Sequence, residues 1–516
     1  MDGSSGTPQY GFVIDQRKCI GCHACTVACK SENDVPLGEF RTWVKYVEKG
    51  TFPEVRRHFT VLRCNHCEDA PCVEICPVAA LDKRIDQIVD LDRDACIGCR
   101  ACMQACPYDA IYLNPHTGTA EKCHYCAHRT ELGLEPACVV VCPEQAIVAG
   151  DTSDPETPIS QLISSQITSR RKLEKGTKPR VWYVDALPES IEPEKTSQPS
   201  TWLWSQRRMQ PPELPPEMSP PEDLRTTLNV DHPPVWGHHI WSYLMTKNIA
   251  AGVMLVAPFL ALWGLPSGAA RDLLPELIGL VFLGLTMFLL IHDLGRPERF
   301  LKILLTPNTK SWLVKGGWVL TAFGALTAGS LGARLLGMDG VADTLRWVNV
   351  PVAIMTSGYT AFLLWQCRGR DLWLSKSLFF DLTLRAAAIG VGFAMLLPLQ
   401  LPESGIARLL SPQLLFPALG VLIVALIVME KAFLPKTEHV NRAVHLLNTK
   451  YDKNHGSVVV LALSVAIMGW AGRDATTWLS IGGADLTSIL GYGAFLLALF
   501  AREKAWIQAG QAVPIS

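Results

Sequence analysis

The chain has 516 residues, and its 47 lysines and arginines nearly balance 48 aspartates and glutamates, giving a formal net charge of −1. That balance excludes the strongly basic surface typical of nucleic-acid-binding proteins, so we expect no nucleic-acid partner. Only 18% of the residues are charged and mean hydropathy is +0.19. These values exclude a chain that is an ordinary soluble protein throughout.

Cysteines and long apolar runs occupy different parts of the chain. Sixteen of the 17 cysteines lie between Cys19 and Cys142, whereas the apolar runs begin after Trp236. The first residues contain neither a basic and apolar export signal nor a twin arginine, so we expect this part to stay in the cytoplasm. Metal ligation then explains the cysteines better than disulfide bonds do.

The sequence predicts four regions. The N-terminal region begins with short strands, among them Gly11–Asp15 and Gln87–Leu91, each just before a cysteine cluster. Between Pro188 and Pro234 there are 11 prolines, a composition that predicts an extended linker and no sheet. The regions are a cysteine-rich domain (1–187), a proline-rich linker (188–235), a membrane domain (236–505) and a C-terminal tail (506–516).

Eight apolar segments after Trp236 are long enough to cross a bilayer. Eight such segments in series fit a helix bundle in lipid better than the core of a soluble domain. They cover about residues 240–264, 273–292, 311–334, 346–367, 377–400, 412–433, 455–472 and 480–501.

Basic residues predict how these segments are oriented. The loops on the side of the cysteine-rich domain, with the C-terminal end, carry 15 lysines and arginines, and the opposite loops carry five. Positively charged loops tend to stay in the cytoplasm. We therefore expect the cysteine-rich domain on the cytoplasmic face of the membrane.

The 16 clustered cysteines form four quartets. The first and third quartets have the spacing C-x2-C-x2-C-x3-C of bacterial ferredoxins, in which three ligands hold one iron–sulfur cube and the fourth ligates its neighbour. Gly21 and Gly98 allow each loop to wrap closely around a cluster. The first quartet is Cys19, Cys22, Cys25 and Cys29, and the third is Cys96, Cys99, Cys102 and Cys106.

The other two quartets have a longer middle interval. They are Cys64, Cys67, Cys72 and Cys76, and Cys123, Cys126, Cys138 and Cys142. Zinc and a redox thiol pair are the alternatives, but zinc sites take two C-x2-C pairs and leave the C-x3-C-Pro endings unexplained. An insertion between the second and third ligands bulges outward from a cube, so we expect iron–sulfur clusters. His124 and His128 are expected outside the ligand sets, because no cysteine is missing.

Residues 10–187 resemble the four-cluster ferredoxin subunits of molybdopterin oxidoreductases such as the polysulfide, dimethyl sulfoxide and formate enzymes. The resemblance implies an α+β ferredoxin-like iron–sulfur domain of two pseudo-symmetric units, each with two [4Fe–4S] clusters. It also implies that the first and fourth quartets exchange one cysteine, as do the second and third. The implied ligand sets are site 1 (Cys19, Cys22, Cys25, Cys142), site 2 (Cys29, Cys123, Cys126, Cys138), site 3 (Cys64, Cys67, Cys72, Cys106) and site 4 (Cys76, Cys96, Cys99, Cys102).

The end of the second apolar segment carries a second resemblance. His292-Asp-Leu-Gly-Arg-Pro-Glu-Arg-Phe300 is similar to the Asp-Leu-Gly-Arg-Pro motif of the polysulfide-reductase membrane-anchor (NrfD-type) family, as is Thr306-Pro-Asn-Thr-Lys-Ser-Trp312 before the third segment. This resemblance covers about residues 236–505. It implies an all-α bundle of about eight transmembrane helices without haem, which exchanges electrons with menaquinone or ubiquinone near the iron–sulfur face.

A quinone site needs an apolar slot and a donor at each carbonyl that can also pass protons. The resemblance and this chemistry together select six candidate quinone-binding residues. They are Tyr359, Tyr243, His239, His292, Asp293 and Arg296.

Other ionisable residues lie within or beside the apolar segments, where burial makes such groups functional candidates. Asp381 and Arg385 are spaced i,i+4 and are expected to form a pair. With Glu430 and Asp485 they make up a possible proton path. The few histidines near the segments lie at their ends, which argues against haem.

The resemblances together imply a fused electron-transfer and membrane-anchor subunit of a respiratory oxidoreductase in a bacterial or archaeal inner membrane. Its partners would be a catalytic subunit with a molybdenum or tungsten molybdopterin cofactor, the quinone pool and the lipid bilayer. No residues for substrate chemistry or molybdopterin binding are recognisable in the chain itself. Two alternatives stay open: a partner that is a hydrogenase, and a membrane domain that translocates ions.

Overall fold

A computed structural model of the chain describes residues 7–197, 221, 223–399, 411–471, 480–481 and 484–516. The N-terminal part is built of short strands and short helices around the cysteine loops, and the C-terminal part is helical. The strands are β1 (Tyr10–Asp15), β2 (Thr42–Lys49), β3 (Arg56–Arg63), β4 (Leu81–Lys83), β5 (Val89–Leu91), β6 (Ile111–Leu113), β7 (Ala120–Lys122), β8 (Ile147–Asp151), β9 (Thr168–Ser169), β10 (Val181–Val184), β11 (Leu224–Leu228), β12 (Ser480–Ile481) and β13 (Ala484–Asp485).

Two sheets frame the N-terminal domain. The first has the order β8-β1-β10-β9, with β1 parallel to β10 and antiparallel to β8. The second is antiparallel, with the order β11-β2-β3, and two hairpins, β4–β5 and β6–β7, complete the domain. The strands predicted at Gly11–Asp15 and Gln87–Leu91 are confirmed as β1 and as the shorter β5.

The helices of this domain are short, and the first five begin within or beside a cysteine quartet. They are α1 (Ala24–Glu32), α2 (Pro71–Ile75), α3 (Ala101–Ala105), α4 (Ala127–Thr130), α5 (Ala137–Val140), α6 (Pro158–Ser165) and α7 (Pro188–Ile191). The first and third loops have matching backbones: φ is +73° at Gly21 and +70° at Gly98, and +60° at His23 and +61° at Arg100. The same sequence spacing therefore produces the same left-handed turn before α1 and before α3.

The structure differs from the extended linker predicted for residues 188–235. Its first residues form α7, which starts with a proline at a position where no backbone N–H is needed. Near its other end, β11 pairs with the free edge of β2, with Thr226 opposite Val47. Residues 198–220 and 222 lie outside the described residues. The sheet pairing escaped prediction because its partner strand lies far away in sequence.

The C-terminal half contains a helix in each of the eight predicted apolar segments. These eight are α8 (His238–Val256), α10 (Leu274–His292), α12 (Trp312–Leu335), α13 (Asp339–Trp365), α14 (Leu378–Ala394), α15 (Pro412–Val428), α18 (Gly456–Ala471) and α19 (Leu486–Ala512). Shorter helices connect them: α9 (Ala269–Asp272), α11 (Lys302–Leu305), α16 (Glu430–Phe433) and α17 (Glu438–Leu446). Within the described ranges, four helices (α8 with the turn after it, α10, α13 and α19) are long and apolar enough to cross a membrane by length and composition.

The last helix is longer than predicted, and residues 506–516 do not form a free tail. Beyond residue 501, α19 continues because its charged side chains find partners inside the protein: Arg502 pairs with Glu430 at 2.6 Å. The end of the chain packs against the N-terminal domain, where Gln104 donates a hydrogen bond to Gln511 at 2.8 Å. Asn229 likewise donates to the carbonyl of Ser516 at 3.3 Å.

Candidate cluster and quinone sites

The four cysteines of site 1 line one cavity of about 340 Å³. Three come from the loop before α1 and from α1 itself, and Cys142 comes from the turn after α5. Cys22 is exposed, whereas Cys25 is buried. The structure thus brings Cys142 to the first cysteine loop despite their separation in sequence.

The four cysteines of site 2 line a second cavity of about 270 Å³, together with Arg41 and Arg63. Cys29 on α1 interacts electrostatically with all three others, Cys123, Cys126 and Cys138. Cys29 and Cys142 thus each lie beside cysteines of the other quartet, as the implied ligand sets require.

Sites 3 and 4 show the same exchange between the second and third quartets. Each set gathers three cysteines of one quartet and the last cysteine of the other. The thiol of Cys67 interacts with Cys64, Cys72 and Cys106, and the thiol of Cys102 interacts with Cys99, Cys96 and Cys76.

The four sites follow one another in a series. Neighbouring sites are linked by electrostatic interactions between pairs of thiols. The pairs are Cys25 with Cys138 between sites 1 and 2, Cys123 with Cys64 between sites 2 and 3, and Cys102 with Cys72 between sites 3 and 4. Site 1, with the exposed Cys22, is one end of the series, and site 4 is the other.

Hydrogen bonds to the sulfurs prepare these sites for negative charge. The backbone N–H of Gly98 donates to Sγ of Cys96 at 3.4 Å, and that of Ala146 donates to Sγ of Cys142 at 3.2 Å. The Nη1 group of Arg63 donates to Sγ of Cys138 at 3.2 Å. Such bonds favour the thiolate and tune the potential of an iron–sulfur cluster.

Burial has the opposite effect on the free thiols. It raises the pKa of Cys25 and of Cys123 to about 12, while the positive charge of Arg63 acts to lower both values. Since ligation requires thiolates, loading these sites releases protons. Cavities lined by four sulfurs, with backbone and arginine donors aimed at them, fit [4Fe–4S] clusters, which supply one-electron transfer when bound.

Comparison with known proteins agrees with this chemistry. Residues 55–152 match the family described as a 4Fe-4S dicluster domain, and residues 226–482 match the polysulphide reductase family NrfD. The sequence is 42% identical over 189 residues to one of the polysulfide reductase chains of Wolinella succinogenes, and the match covers 36% of this protein and 98% of that one. The protein belongs to the 4Fe-4S dicluster family, with an NrfD domain fused to it. Both sequence resemblances are therefore confirmed.

Two other relatives match a similar share of the chain. A tetrathionate reductase subunit of Salmonella typhimurium is 42% identical over 204 residues, 38% of this chain and 82% of that protein. A putative dimethyl sulfoxide reductase iron-sulfur subunit of Halobacterium salinarum is 41% identical over 208 residues, 34% of this chain and 79% of that protein.

The Asp-Leu-Gly-Arg-Pro motif of the NrfD domain packs directly on the third cysteine loop. Gly295 N–H donates to the carbonyl of Gly98 at 3.2 Å, and Arg296 N–H donates to that of Ile97 at 3.1 Å. A Cβ on Gly98 would lie 2.7 Å from Cα of Gly295 and 2.3 Å from the carbonyl oxygen of Gly118. The glycines thus allow two backbones to meet where a side chain would not fit.

The second motif segment of the NrfD domain contacts the second cysteine loop. The side-chain amide of Asn308 donates to the carbonyl of Cys76 at 2.8 Å, and the hydroxyl of Ser311 donates to that of Ile75 at 2.7 Å. Both motif segments therefore hold site 4 against the membrane domain.

Three predicted quinone residues gather at this junction. Nδ1 of His239 lies 3.3 Å from a carboxylate oxygen of Asp293, and the rings of His239 and His292 are 5.1 Å apart. Arg100, in the third cysteine loop, reaches the same carboxylate at 3.4 Å. The side chain of Arg296 does not join them and pairs with Glu298 at 3.4 Å instead.

The two predicted tyrosines form a separate, buried group around Lys247. Nζ of Lys247 lies 4.6 Å from the ring centre of Tyr359 and 6.0 Å from that of Tyr243. It donates to the carbonyl of Ser357 at 2.9 Å and to the hydroxyl of Thr360. Both tyrosines and the lysine are less than 5% exposed: 4%, 4% and 1%. The group offers hydroxyls and a cation inside an apolar bundle.

Three of the four predicted proton-path residues, Asp381, Arg385 and Glu430, line one cavity in the helical domain. Arg385 pairs with Asp381 at 2.7 Å, as their spacing predicted. Glu430 accepts hydrogen bonds from Arg502 at 2.6 Å and from Trp506 at 2.7 Å. Asp485 lies on β13, just before α19 starts.

Sequence reasoning did not single out Arg63, Arg100 or Glu503 as functional residues. Arg63 ends a strand of otherwise ordinary composition, and Glu503 follows the apolar part of its segment. A charge beside a membrane segment is usually a solvated helix end, so nothing local marks Glu503 as buried. Arg100 is flanked by Cys99 and Cys102, and that position is the one signal that would have identified it.

Proposed function

We propose that the chain is the electron-transfer and membrane-anchor subunit of a respiratory oxidoreductase complex. Sites 1 to 4 hold four [4Fe–4S] clusters that connect a separate catalytic subunit with the membrane quinone pool. The observation that carries this proposal is the series of sites, which begins at the exposed Cys22 and ends where Gly98 meets Gly295 of the NrfD domain.

The catalytic partner is proposed to carry a molybdopterin cofactor with molybdenum or tungsten. The relatives are named as subunits of tetrathionate, polysulfide and dimethyl sulfoxide reductases, which favours a reductase partner over a hydrogenase. We expect it to dock at site 1, because Cys22 is exposed there and Ile20 and Val27 beside it are 54% and 63% exposed.

The quinone headgroup is proposed to bind between the junction group and the tyrosine group. His239 and Tyr243 are one turn apart on α8, so a ring held between the two groups has a donor at each end. Tyr359, held by Lys247, supplies a hydroxyl from α13. His292 and Asp293 lie toward the cysteine loops, where they are suited to exchange protons with solvent.

The membrane domain is proposed to cross the bilayer with all eight long segments. Buried ion pairs inside the bundle, such as Arg346 with Glu276 at 2.6 Å, support a protein that satisfies its polar groups internally. The excess of lysines and arginines on the side of the cysteine loops supports a cytoplasmic location for the dicluster domain in a bacterial or archaeal inner membrane.

Purification of the native complex from its membrane tests the proposal. We expect about 16 iron atoms per chain, four for each cluster, and a co-purified subunit with molybdenum or tungsten. Reduced quinone should reduce the clusters, and the reduced protein should show no b-type haem bands. A nickel-containing partner or haem absorption would contradict the proposal.

A further inference from the structure

A cavity of about 550 Å³ lies in the membrane domain, and none of the residues of the tyrosine group lines it. The two stripes of α8 explain this arrangement. Tyr243 and Lys247 are spaced i,i+4 and face Tyr359, whereas Leu244 lines the cavity and Asn248, again i,i+4, contacts one of its walls. The cavity is therefore lined by residues other than those of the proposed site, although Glu503 interacts electrostatically with Lys247.

The walls of the cavity come from six helices and are mostly apolar. The apolar residues that matter here are Leu244 on α8, Leu364 on α13, Leu382 on α14, Ile427 on α15 and Trp506 on α19.

The polar side of the cavity contains a carboxylate with an unused oxygen. Glu503 is 3% exposed; its Oε1 accepts a hydrogen bond from Asn248 at 3.1 Å. Its Oε2 and the side-chain oxygen of Asn248 have no hydrogen-bond partner among the described residues. A buried acceptor left without a donor is costly. The cavity thus presents acceptors that need an O–H or N–H group from a ligand.

Charges around the cavity restrict the ligand further. Three carboxylates line it, Asp381, Glu430 and Glu503, and one arginine, Arg385. Asp381 pairs with Arg385 and Glu430 pairs with Arg502, so the carboxylate oxygen left open to a ligand is that of Glu503. A neutral ring with hydroxyl groups can donate to Glu503 and is surrounded by leucine side chains. Hydroquinones have this chemistry.

Two of the helices that line the cavity also form the outer surface of the domain, and one end of the cavity lies near the cysteine loops. The outward side chains of the helices on its outer wall are exposed: Phe380 on α14 by 64% and Val428 on α15 by 72%. At the other end the cavity is lined by Ser375. That residue lies just beyond Arg370, which donates to Gln104 in the third cysteine loop at 2.8 Å.

We propose that this cavity binds the headgroup of a membrane hydroquinone, with a hydroxyl donated to Oε2 of Glu503. It is a second site, additional to the one between the junction and tyrosine groups, and it rests on the proposed function in that the chain works with a quinone pool. Binding forms no covalent bond. Its specificity is for the reduced, hydroxyl-bearing ring, because the oxidised quinone has no hydrogen to donate to Glu503.

Photolabelling of the purified native complex tests the proposal. An azido-substituted, short-chain hydroquinone is bound, illuminated and mapped by peptide mass spectrometry. We expect labelled peptides from α14 or α19, and at least tenfold less label there when the same probe is kept oxidised. Label on α10 or α12 without label on α14, α15 or α19 would overturn the second site and leave the proposed function standing, because α8 and α13 line both sites. Label in none of these helices would contradict quinone binding, both at the second site and in the proposed function.

Two variants on one helix sharpen the result. In Leu382→Trp the larger ring fills the cavity, and we expect labelling of α19 to fall at least tenfold. Phe380→Trp, on the outward face of the same helix, is the matched control and should label as the native protein does. Equal labelling of α19 in both variants would overturn the proposal. If the Leu382→Trp protein fails to accumulate, the labelled peptides of the native protein still test whether the second site exists.

Discussion

Arg63 donates a hydrogen bond from Nη1 to Sγ of Cys138 at 3.2 Å in the interior of the dicluster domain. The side chain is only 1% exposed and lies 4.3 Å over the ring of Phe12. It also interacts electrostatically with Cys25 of site 1. A fixed positive charge between sites 1 and 2 stabilises the added negative charge of a reduced cluster.

We therefore expect Arg63→Gln to lower the reduction potential of the site 2 cluster. The equilibrium constant for its reduction should fall at least tenfold, which is about 59 mV for one electron. A redox titration followed by electron paramagnetic resonance measures the shift. Arg56→Gln removes an exposed charge from the same strand and should move no potential. If an Arg63→Gln protein with all its clusters bound shows unchanged reduction potentials, Arg63 does not stabilise the reduced cluster.

The exchange of cysteines between quartets predicts which cluster each substitution affects. Cys142→Ser should alter the cluster of site 1, because Cys142 lines the same cavity as Cys19, Cys22 and Cys25. Cys138→Ser should alter the cluster of site 2 instead. Mössbauer and paramagnetic resonance spectra of the two variants distinguish these outcomes. The ligand sets are wrong if Cys142→Ser changes only the cluster held by Cys123 and Cys126.

The contact between Gly98 and Gly295 predicts a variant with impaired electron exchange across the junction. In Gly98→Ala the added Cβ has backbone atoms at 2.3 and 2.7 Å, and the backbone keeps φ +70°. The backbones of Gly118 in the cysteine-rich domain and Gly295 in the NrfD domain then both have to move away, and we expect reduction of the clusters by reduced quinone to slow at least tenfold. Reduction by dithionite should be unchanged.

Gly38→Ala is the control for backbone strain alone. Gly38 has φ +88°, but a Cβ there meets no atom within 4 Å. Both variants therefore have an alanine in the left-handed region, and only Gly98→Ala produces a clash. Equal rates of quinone-dependent reduction in the two variants would show that the close approach of the domains has no role in electron exchange between quinone and the clusters.

The buried pair of Arg346 and Glu276 predicts a large loss of stability when one partner is removed. Their side chains are 2% and 0% exposed, and Ser330 also donates to Glu276 at 2.8 Å. Arg346→Met leaves an unpaired buried carboxylate and should cost about 3–5 kcal/mol. The double variant Glu276→Gln with Arg346→Met should recover much of that loss.

Denaturation of the detergent-solubilised protein measures these differences. Lys195→Gln serves as a control, because Lys195 and Glu192 form an exposed pair with side chains 46% and 41% accessible. Its loss should change the free energy of unfolding by about 1 kcal/mol or less. A similarly small effect of Arg346→Met would show that the buried pair is dispensable.

Features that depend on short-range patterns could be predicted from the amino-acid sequence alone. The cysteine spacings predicted the four quartets, and the strand β1 and the eight apolar helices followed from local hydropathy. Hydropathy and ligand spacing repeat over a few residues, so they can be read without knowing what lies opposite. The Asp-Leu-Gly-Arg-Pro motif was recognised in the same way.

Features that depend on partners distant in sequence could be identified only in the folded chain. The pairing of Leu224–Leu228 with β2 and the continuation of α19 to Ala512 both need such partners. The burial of Arg63 and Glu503 also depends on distant residues, because a charged side chain is stable inside a protein only where neighbouring groups compensate its charge. The contact of Gly98 with Gly295 gives the motif glycine its physical role: two backbones from opposite halves of the chain meet there.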